Sequence, residues 1–408
     1  MQINEIFWPN FLGAHDIEMG LDRVLDFAIA VGNPQKYLKN LVHVAGTNGK
    51  GSTISFLEAM LRSAGYSVNV YTSPHLVHFN ERIKLNGYYI SDSELIGILK
   101  RCQEIEEKQP GKVTFFKGTT MAALLAFAKF PADFTLIETG LGGRLDATNI
   151  FEHKLLSIIT FIAQDHEEYL GSDILGIAGE KAAIMDNSDV VILAKQDANV
   201  QQFLINYAEK RDKTIMESGE VCKDLLVQDL PLLGAHQIDN FKAAFTALTL
   251  LVGIEKAKVG YDGYKRYFAW PARMQEILFK DVVSRLKPGS KVYLDGAHNV
   301  AAGSKIAEYL GPESHKYAKI YLICNQTKDR NIEEFLAEFS NINLDCYSYH
   351  FDHTRPFYKE SELRDMLGNT HKGGFYNWDD VWKLDRGNSL FLICGSLFLA
   401  GHFLANYS

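Results

Sequence analysis

The stretch LVHVAGTNGKGST, from Leu41 to Thr53, decides how the first part of this chain folds. Its mostly apolar start predicts a buried strand, a glycine-rich turn follows, and Ile54, Leu57 and Leu61 then recur at helical spacing. A strand that ends in such a turn and leads into a helix aims several backbone N–H groups at one point, which favours a bound anion. The stretch therefore predicts a phosphate-binding loop in an α/β domain.

The side chains of the loop extend this prediction from an anion to a nucleotide. Lys50 can place a positive charge on the outer phosphates of ATP, and the Ser52 hydroxyl can reach Mg²⁺. One extra residue between them departs from the strict G-x-x-x-x-G-K-[ST] spacing, and a plain tight turn is the alternative. We expect ATP to bind seven consecutive residues: Gly46, Thr47, Asn48, Gly49, Lys50, Gly51 and Ser52.

The composition is that of a globular protein. Of its 408 residues 47% are hydrophobic and 23% charged, and the net charge is −8, which argues against a nucleic-acid partner. The first ten residues lack the pattern of a secretory signal, and glycine and histidine interrupt the apolar run 391–406, so we expect no membrane span. The five cysteines show no C-x-x-C pairing, so we expect reduced thiols in a cytoplasmic protein.

Apolar strand-like runs alternate with helical patterns, which predicts mostly parallel sheets covered on both faces. The pattern restarts after the turn cluster KPGS at 287–290. We therefore predict two α/β domains, an ATP-binding catalytic domain with a P-loop parallel sheet over residues 1–275 and a smaller Rossmann-like domain over 276–408. The predicted strands are Leu41–Ala45, Val68–Thr72, Phe134–Thr139, Leu155–Thr160, Val190–Ala194, Lys291–Leu294, Ile320–Asn325, Asp345–Phe351 and Ser389–Cys394.

Polar residues follow further predicted strands at the edge expected to carry the loop. Glu138 ends one strand, and a carboxylate there, beside a phosphate loop, suits a Mg²⁺ ion that bridges phosphates. His166 follows the next strand and could ligate a second metal or polarise a reacting oxygen. A solvated glutamate and an ordinary polar histidine are the alternatives. By itself Lys181, on a helix otherwise lined with apolar residues, suggests no role.

The second domain offers its own candidates. Asp295 and His298, in LDGAHN, end its first predicted strand, where they could contact the ribose or phosphates of a nucleotide. Arg273 precedes the domain junction and could also reach phosphates. An Asp-Gly turn and a surface arginine are the alternative explanations.

Taken together, these segments resemble the folylpolyglutamate synthase and dihydrofolate synthase family, of the bacterial bifunctional type, within the wider Mur ligase group. TSPHL, NERI and GLGGRLDATN favour its folate branch over the cell-wall branch. The matching stretches follow the order of the family along nearly the whole chain: HVAGTNGKGST (43–53), TSPHLVHFNERIKLNG (72–87), ETGLGGRLDATN (138–149), DHEEYLG (165–171), GEKAAI (179–184), HQIDN (236–240), LDGAHN (294–299) and CGSLFLAG (394–401).

The resemblance implies roles for individual residues. Lys181 matches a lysine that the family carbamylates, and it joins Lys50 and His166 as a catalytic candidate. Two Mg²⁺ ions are expected, with the ligands Ser73, Glu138 and His166 and with Ser52 as a further candidate. ATP would also be contacted by Asn240, Arg273, Asp295 and His298. The folate or pterin would be bound by Asp16, Ile17, Glu18, Phe116, Lys117, Gly118, Thr119, Leu145, Asp146 and Ala147.

Four residues differ from the usual pattern of the family. Lys117 stands where Glu is usual, His78 where Arg is usual, Ala272 where Gly is usual, and Val300 where Pro is usual. None of the four is a predicted phosphate or metal ligand.

The implied chemistry is ATP-dependent addition of L-glutamate to dihydropteroate, to folate γ-carboxylates, or to both, through an acyl phosphate. The expected partners are these small molecules, without nucleic acid or membrane, and the expected state is a monomer. Three alternatives stay open. A peptidoglycan-type ligase would use a nucleotide-sugar peptide, a P-loop kinase would need no amino acid, and a non-catalytic paralogue would bind folate or nucleotide without turnover.

Overall fold

The computed structural model describes residues 19–108, 113–221 and 229–407. The chain divides into two compact units, the first made of Met1–Gln228 and Ile238–Ala269, the second of Asp229–Gln237 and Trp270–Ser408. Each unit is built on one mostly parallel sheet with helices, so the predicted fold class is confirmed. Nowhere in these described ranges does a helix combine the length and the apolar character needed to cross a bilayer.

In the first unit the sheet has the order β4-β3-β2-β5-β1-β6-β7-β8. Its parallel part is buried because βαβ connections cover both faces, which explains the continuous apolar runs in the sequence. β3 and β4 add an antiparallel edge. The strands are β1 (Leu41–Ala45), β2 (Val68–Tyr71), β3 (Ile83–Leu85), β4 (Tyr88–Tyr89), β5 (Phe134–Glu138), β6 (Lys154–Ile159), β7 (Ser188–Leu193) and β8 (Thr214–Glu217).

The helix Asp92–Glu106 begins at a side-chain cap. Ser91 accepts the N–H of Glu94 at 3.3 Å, as expected of an N-cap, while the Glu94 carboxylate pairs with Lys129 at 2.5 Å. The helices are α1 (Asp22–Ala30), α2 (Lys50–Ser63), α3 (Asp92–Glu106), α4 (Phe115–Lys129), α5 (Glu167–Leu170), α6 (Ile174–Ala182), α7 (Ala198–Glu209), α8 (His236–Val252) and α9 (Ile254–Gly263). Short 3₁₀ segments lie at Pro34–Tyr37, Phe79–Arg82, Ala183–Met185 and Tyr264–Arg266.

The second unit has the strand order β13-β12-β11-β14-β10-β9, where β9 is antiparallel to β10. Its strands are β9 (Gln275–Glu276), β10 (Lys291–Leu294), β11 (Lys319–Cys324), β12 (Leu344–Tyr349), β13 (His371–Phe375) and β14 (Ser389–Cys394). Its helices are α10 (Lys280–Val283), α11 (Val300–Glu313), α12 (Ile332–Ala337), α13 (Glu360–Leu367), α14 (Trp378–Trp382) and α15 (Leu397–Tyr407), with 3₁₀ segments at Ser314–Lys316 and Gly368–Thr370. The apolar C-terminal run is thus a strand and a separate helix, as predicted.

The position of β1 sets the site. β1 lies between β5 and β6, with Val44 opposite Glu138 and Ala45 opposite Ile159. Because all three strands are parallel, their carboxyl ends share one edge of the sheet. The glycine-rich loop, Glu138 and the segment that leads to His166 therefore emerge side by side.

Candidate functional site

Two glycines give the loop between β1 and α2 its shape. Gly46 and Gly49 have φ angles of 150° and 92°, in the region that favours glycine. A Cβ on Gly46 would lie 1.9 Å from Oγ1 of Thr160, and one on Gly49 would lie 2.2 Å from Oδ1 of Asn240. The loop therefore lies directly against the end of β6 and against α8, and the predicted ATP ligand Asn240 is brought to it.

The segment after β6 anchors the first half of the loop. The N–H groups of Thr47 and Asn48 both donate to the carbonyl of Phe161, at 2.9 and 3.1 Å. The Thr47 hydroxyl donates to the carbonyl of Ala163 at 2.9 Å and accepts its N–H at 3.0 Å. These two loop amides are thus engaged within the protein.

The second half of the loop is the start of α2. The first helical hydrogen bond runs from the N–H of Thr53 to the carbonyl of Gly49 at 2.9 Å. The N–H groups of Lys50, Gly51 and Ser52 precede it, so they have no acceptor within the helix. With the partial positive charge of the helix N-terminus, these amides are where an anion fits best.

Gln196, which follows β7, supports the segment after β6 that anchors the loop. Its side-chain amide donates to the carbonyl of Thr160 at 2.9 Å, and its oxygen accepts the N–H of Ile162 at 2.9 Å. The side chain thus fixes the backbone on which the loop rests. Nothing in the local sequence marks this glutamine, and only the pairing of β6 with β7 brings it there.

Two lysines meet at the loop. Lys50 Nζ donates to the carbonyls of Gly46 and Thr47, and Lys181 Nζ also donates to the carbonyl of Gly46, all at 3.1 Å. Burial and the charge of Lys50 lower the pKa of Lys181 to about 7, against the opposing effect of Asp165 and other carboxylates. Lys181 is therefore no surface lysine: it is an amine that loses its charge near neutral pH.

The glycine-rich loop after β5 holds the end of α6 that carries Lys181. Arg144 donates through its N–H to the carbonyl of Glu180 at 2.8 Å and through Nε to the Glu180 carboxylate at 2.9 Å. A Cβ on Gly143 would lie 2.6 Å from that same carbonyl. The close approach requires glycine at 143 and places Lys181 beside the phosphate loop.

Ser73 and Glu138 form the part of the predicted metal site that the structure brings together. The N–H of Ser73 donates to Oε2 of Glu138 at 3.2 Å, and Glu138 is 5% exposed. His166 follows β6 at the same edge, in a left-handed conformation with φ of 54°. Ser52 is buried in the first turn of α2. Carboxylate and hydroxyl oxygens with one imidazole suit Mg²⁺ or Mn²⁺ chemically.

The described residues contain no group of three or more His, Cys, Asp and Glu placed to hold a metal ion. The predicted set has two such residues, Glu138 and His166, together with serine oxygens.

The loop after β2 is organised by two charged residues, Glu81 and Arg82, which are not among the predicted site residues. The Glu81 carboxylate accepts three consecutive backbone N–H groups, from Leu76, Val77 and His78, at 2.7, 2.9 and 2.7 Å. A carboxylate that faces three such donors fixes the loop in one conformation. Glu81 and Arg82 belong to the NERI segment, which is the sequence signal that points to them.

Arg82 also holds the loop after β2 in place. Its Nε donates to Nδ1 of His75 at 2.8 Å, and its guanidinium lies over the rings of Phe79 and Phe115, at 5.6 and 5.5 Å from their centres. Burial, followed by the charges of Arg82 and His78, lowers the pKa of His75 to about 3. His75 is accordingly a neutral imidazole in a cationic setting.

The predicted pterin residues that the structure describes lie on α4 and on the glycine-rich loop after β5. The Phe116 ring packs so closely on that loop that a Cβ on Gly140 would lie 2.2 Å from it. Asp146 accepts the N–H groups of Leu141 and Thr148, at 2.8 and 2.9 Å, so it shapes the loop, and burial raises its pKa. Lys117, Gly118, Thr119 and Ala147 are also buried, and Leu145 is half-buried. Asp16, Ile17 and Glu18 lie outside the described residues.

In the second unit Asp295 is a backbone acceptor. It accepts the N–H groups of Met274 and Ala297, at 2.6 and 2.7 Å, and burial raises its pKa while Arg273 opposes that effect. Ala272 and Met274 flank Arg273 with φ of 54° and 44°. These left-handed residues strain the backbone beside a predicted ligand-binding side chain, and the strain at Ala272 explains why glycine suits that position.

His298 follows in the same turn. Its Nδ1 lies 2.9 Å from the carbonyl oxygen of Gly296, so Nδ1 carries a hydrogen and donates it to that oxygen. Arg273 Nη1 would lie 2.9 Å from a Cβ on Gly296. The structure thus groups Arg273, Asp295 and His298 around one turn of the second unit.

Known proteins resemble the chain along nearly its whole length, although no family model matches it. The dihydrofolate synthase/folylpolyglutamate synthase of Bacillus subtilis is 31% identical over 414 residues, covering 94% of this chain and 93% of the relative. Escherichia coli FolC in complex with DHPP and ADP has a TM-score of 0.80 at 28% identity, covering 98% and 95%. A bifunctional folylpolyglutamate synthase/dihydrofolate synthase with Mn, AMPPNP and L-glutamate bound has a TM-score of 0.81 at 25% identity, covering 98% and 97%.

Proposed function

Because the chain belongs to the dihydrofolate synthase/folylpolyglutamate synthase family, we propose that it adds L-glutamate to dihydropteroate, to folate γ-carboxylates, or to both. It is an ATP-dependent ligase that forms a carbon–nitrogen bond. The observation that carries the proposal is the convergence of Lys50 and Lys181 on Gly46, at the sheet edge that also presents Glu138.

The reaction would proceed in two steps. A carboxylate oxygen of the acceptor attacks the γ-phosphorus of ATP, the bond to the β-phosphate oxygen breaks, and ADP leaves an acyl phosphate. The amine of L-glutamate then attacks the acyl carbon, a proton leaves the nitrogen, and inorganic phosphate departs. Lys50 and the amides at the start of α2 would stabilise the charge on the transferred phosphoryl group.

One structure of the family holds Mn together with AMPPNP, and we propose two Mg²⁺ ions for this chain. Ser73, Glu138 and His166 would hold them, with Ser52 as a further ligand. The metal would neutralise phosphate charge and help two anionic reactants to approach each other.

Lys181 would act as a carbamate. A carbamate forms when an uncharged amine attacks CO₂, giving Nζ–COO⁻ and releasing one proton. The burial of Lys181 and its neighbour Lys50 favour the uncharged amine, and the anionic product would balance the charge of Lys50. His166 and Lys181 would thus complete the catalytic group around Lys50.

The remaining site residues are proposals of the same kind. ATP would be contacted by Asn240 in the first unit and by Arg273, Asp295 and His298 in the second. Phe116 to Thr119 and Leu145 to Ala147 would bind the pterin or folate, together with Asp16, Ile17 and Glu18. We assign ATP binding and catalysis to residues 1–275 and a ligase domain to 276–408, in a cytoplasmic monomer without nucleic-acid partners.

The experiment that tests the function is phosphate release with ATP, Mg²⁺ and L-glutamate, with dihydropteroate and tetrahydrofolate as separate acceptors. Release that needs both glutamate and dihydropteroate would establish dihydrofolate synthase activity. A parallel response to tetrahydrofolate would make the enzyme bifunctional, and tetrahydrofolate alone would make it a polyglutamate synthase. Silence with both acceptors would contradict the proposal.

A further inference from the structure

His75 has no role in the reaction proposed above. It lies two residues after Ser73, whose N–H donates to Glu138. The carboxylate of Glu81 immobilises the backbone that follows His75, and Arg82 immobilises its ring. A side chain fixed from both directions beside the candidate metal site is costly in conformational entropy, which suggests that its orientation matters.

Arg82 determines which nitrogen of His75 carries the hydrogen. An arginine side chain is always protonated in a folded protein and has no acceptor atom. Its Nε–H therefore donates to Nδ1 of His75, which must hold a lone pair. In a neutral imidazole the hydrogen then lies on Nε2.

Nε2 of His75 is available to a ligand. The hydrogen bond of the ring to Arg82 uses Nδ1, and within the described residues no hydrogen bond joins Nε2 to another protein group. Nε2 is not among the fully buried side-chain atoms that lack a partner in the described part of the chain. The residue as a whole is half-buried.

The surroundings make this donor selective for anions. Donation by a guanidinium to Nδ1 withdraws charge from the ring and strengthens the opposite N–H as a donor. Arg82 places a positive charge beside the same ring, and the carboxylates of Glu138 and Glu81 both interact electrostatically with that charge. An anionic oxygen is therefore the preferred acceptor, and carboxylate and phosphoryl oxygens are both present among the reactants of the proposed function.

We propose that His75 is a substrate-binding residue that donates its Nε2 hydrogen to an anionic oxygen of the reactants bound at the Ser73–Glu138 edge. This role rests on the proposed ligase reaction. The alternative is that His75 only supplies a hydrogen-bond acceptor to the buried Arg82. Two substitutions, each of which keeps the function of one ring nitrogen, distinguish this structural role from substrate binding.

In His75→Gln the side-chain nitrogen reaches the place of Nε2 and keeps the donor, while the acceptor for Arg82 is lost. In His75→Asn the side-chain oxygen takes the place of Nδ1 and keeps the acceptor, while the distal donor is lost. Initial rates of glutamate-dependent phosphate release give kcat and KM for ATP, acceptor and glutamate in turn.

We expect H75Q to stay within about threefold of the parent and H75N to lose about 10- to 100-fold in kcat/KM, the range for one hydrogen bond to a charged group. The substrate whose KM rises most identifies the oxygen, phosphoryl or carboxylate. The reverse order of the two variants, or equal activity in folded variants, would overturn the proposal. An inactive parent enzyme would instead contradict the proposed function.

A measurement on the unmodified enzyme covers the case in which both variants fail to fold. With ¹⁵N-labelled histidine, NMR distinguishes the two neutral tautomers, and the proposal requires the Nε2–H form at His75. The Nε2 proton should shift when AMPPNP with Mg²⁺, dihydropteroate or glutamate is added. The other tautomer, or no shift with any of these ligands, would refute the proposed contact.

Discussion

Lys50 and Lys181 donate to the same carbonyl oxygen, that of Gly46, each at a distance of 3.1 Å. Two amines that share one acceptor repel each other when both are charged, and this repulsion contributes to the lowered pKa of Lys181. A polyphosphate at the start of α2 would attract Lys50, and a carbamate on Lys181 would reverse its charge. Negative charge from a bound polyphosphate or from a carbamate would thus relieve the repulsion between the two lysines.

Gly49→Ala tests the close contact between the phosphate-binding loop and α8. The new Cβ would meet Oδ1 of Asn240 at 2.2 Å, so the Asn240 side chain or the loop must shift, and because both are predicted to contact ATP we expect ADP affinity to fall at least ~10-fold. Gly65→Ala is the matched control, because Gly65 has a φ of 91° and its Cβ would meet none of the described atoms within 4 Å. Both variants carry the cost of alanine in a left-handed conformation, about 1–2 kcal/mol. Calorimetric titration with ADP checks this, and equal affinities would contradict the close approach.

Lys50→Ala tests the electrostatic role of the loop lysine. We expect turnover to fall at least ~100-fold, the scale of one essential contact to developing charge. Phosphate release under saturating ATP measures it. Lys100→Ala, an exposed lysine on α3, should leave turnover unchanged. Near-normal turnover of K50A would refute the assignment.

Lys181 should make activity depend on CO₂ and pH. Because its pKa is about 7, the uncharged amine falls from roughly nine-tenths to roughly one-tenth between about pH 8 and pH 6. Enzyme depleted of CO₂ should therefore regain activity on addition of bicarbonate at the higher pH, and much less at the lower. Lys181→Arg keeps the charge but cannot form the carbamate, so it should be inactive and unresponsive. Full activity of K181R would exclude the carbamate.

Glu138→Gln tests the metal site. The amide keeps an acceptor for the N–H of Ser73 but loses the charge that attracts Mg²⁺, so the Mg²⁺ concentration for half-maximal activity should rise at least ~10-fold. Glu209→Gln, on the exposed side of α7, should leave the Mg²⁺ requirement as it is. A chelator should abolish turnover of the parent enzyme. An unchanged Mg²⁺ requirement in E138Q would remove Glu138 from the site.

The parallel strands could be predicted because their signal is local. β1, β10 and β14 begin and end at the predicted residues, since a strand buried on both faces needs a continuous apolar run. Glu138 was found for the same reason, as the first carboxylate at the end of such a run. The prediction omits β3, β4, β8, β9 and β13. Tyr88–Tyr89 is exposed and His371–Phe375 contains two glycines, so neighbouring strands stabilise them and their own sequence does not.

The support of the site could not be predicted because it depends on contacts between distant residues. Lys181 occupies a helix position that resembles a solvated one, yet it is 6% exposed and contacts Gly46, 135 residues earlier. Likewise, the contact of Arg82 with His75 and that of Gln196 with the segment after β6 follow from the way their loops fold back. Local periodicity contains no information about such contacts.

The strand order has a consequence for the synthesis of the chain on the ribosome. Thr47 is held by Ala163, 116 residues later, and β1 has its neighbours only once β5 and β6 exist. While these strands are being made, the complete glycine-rich motif has already been translated but has nothing to rest on. The nucleotide site is therefore a late product of folding, and a nascent chain that stops before Thr160 would carry the motif without being able to bind ATP through it.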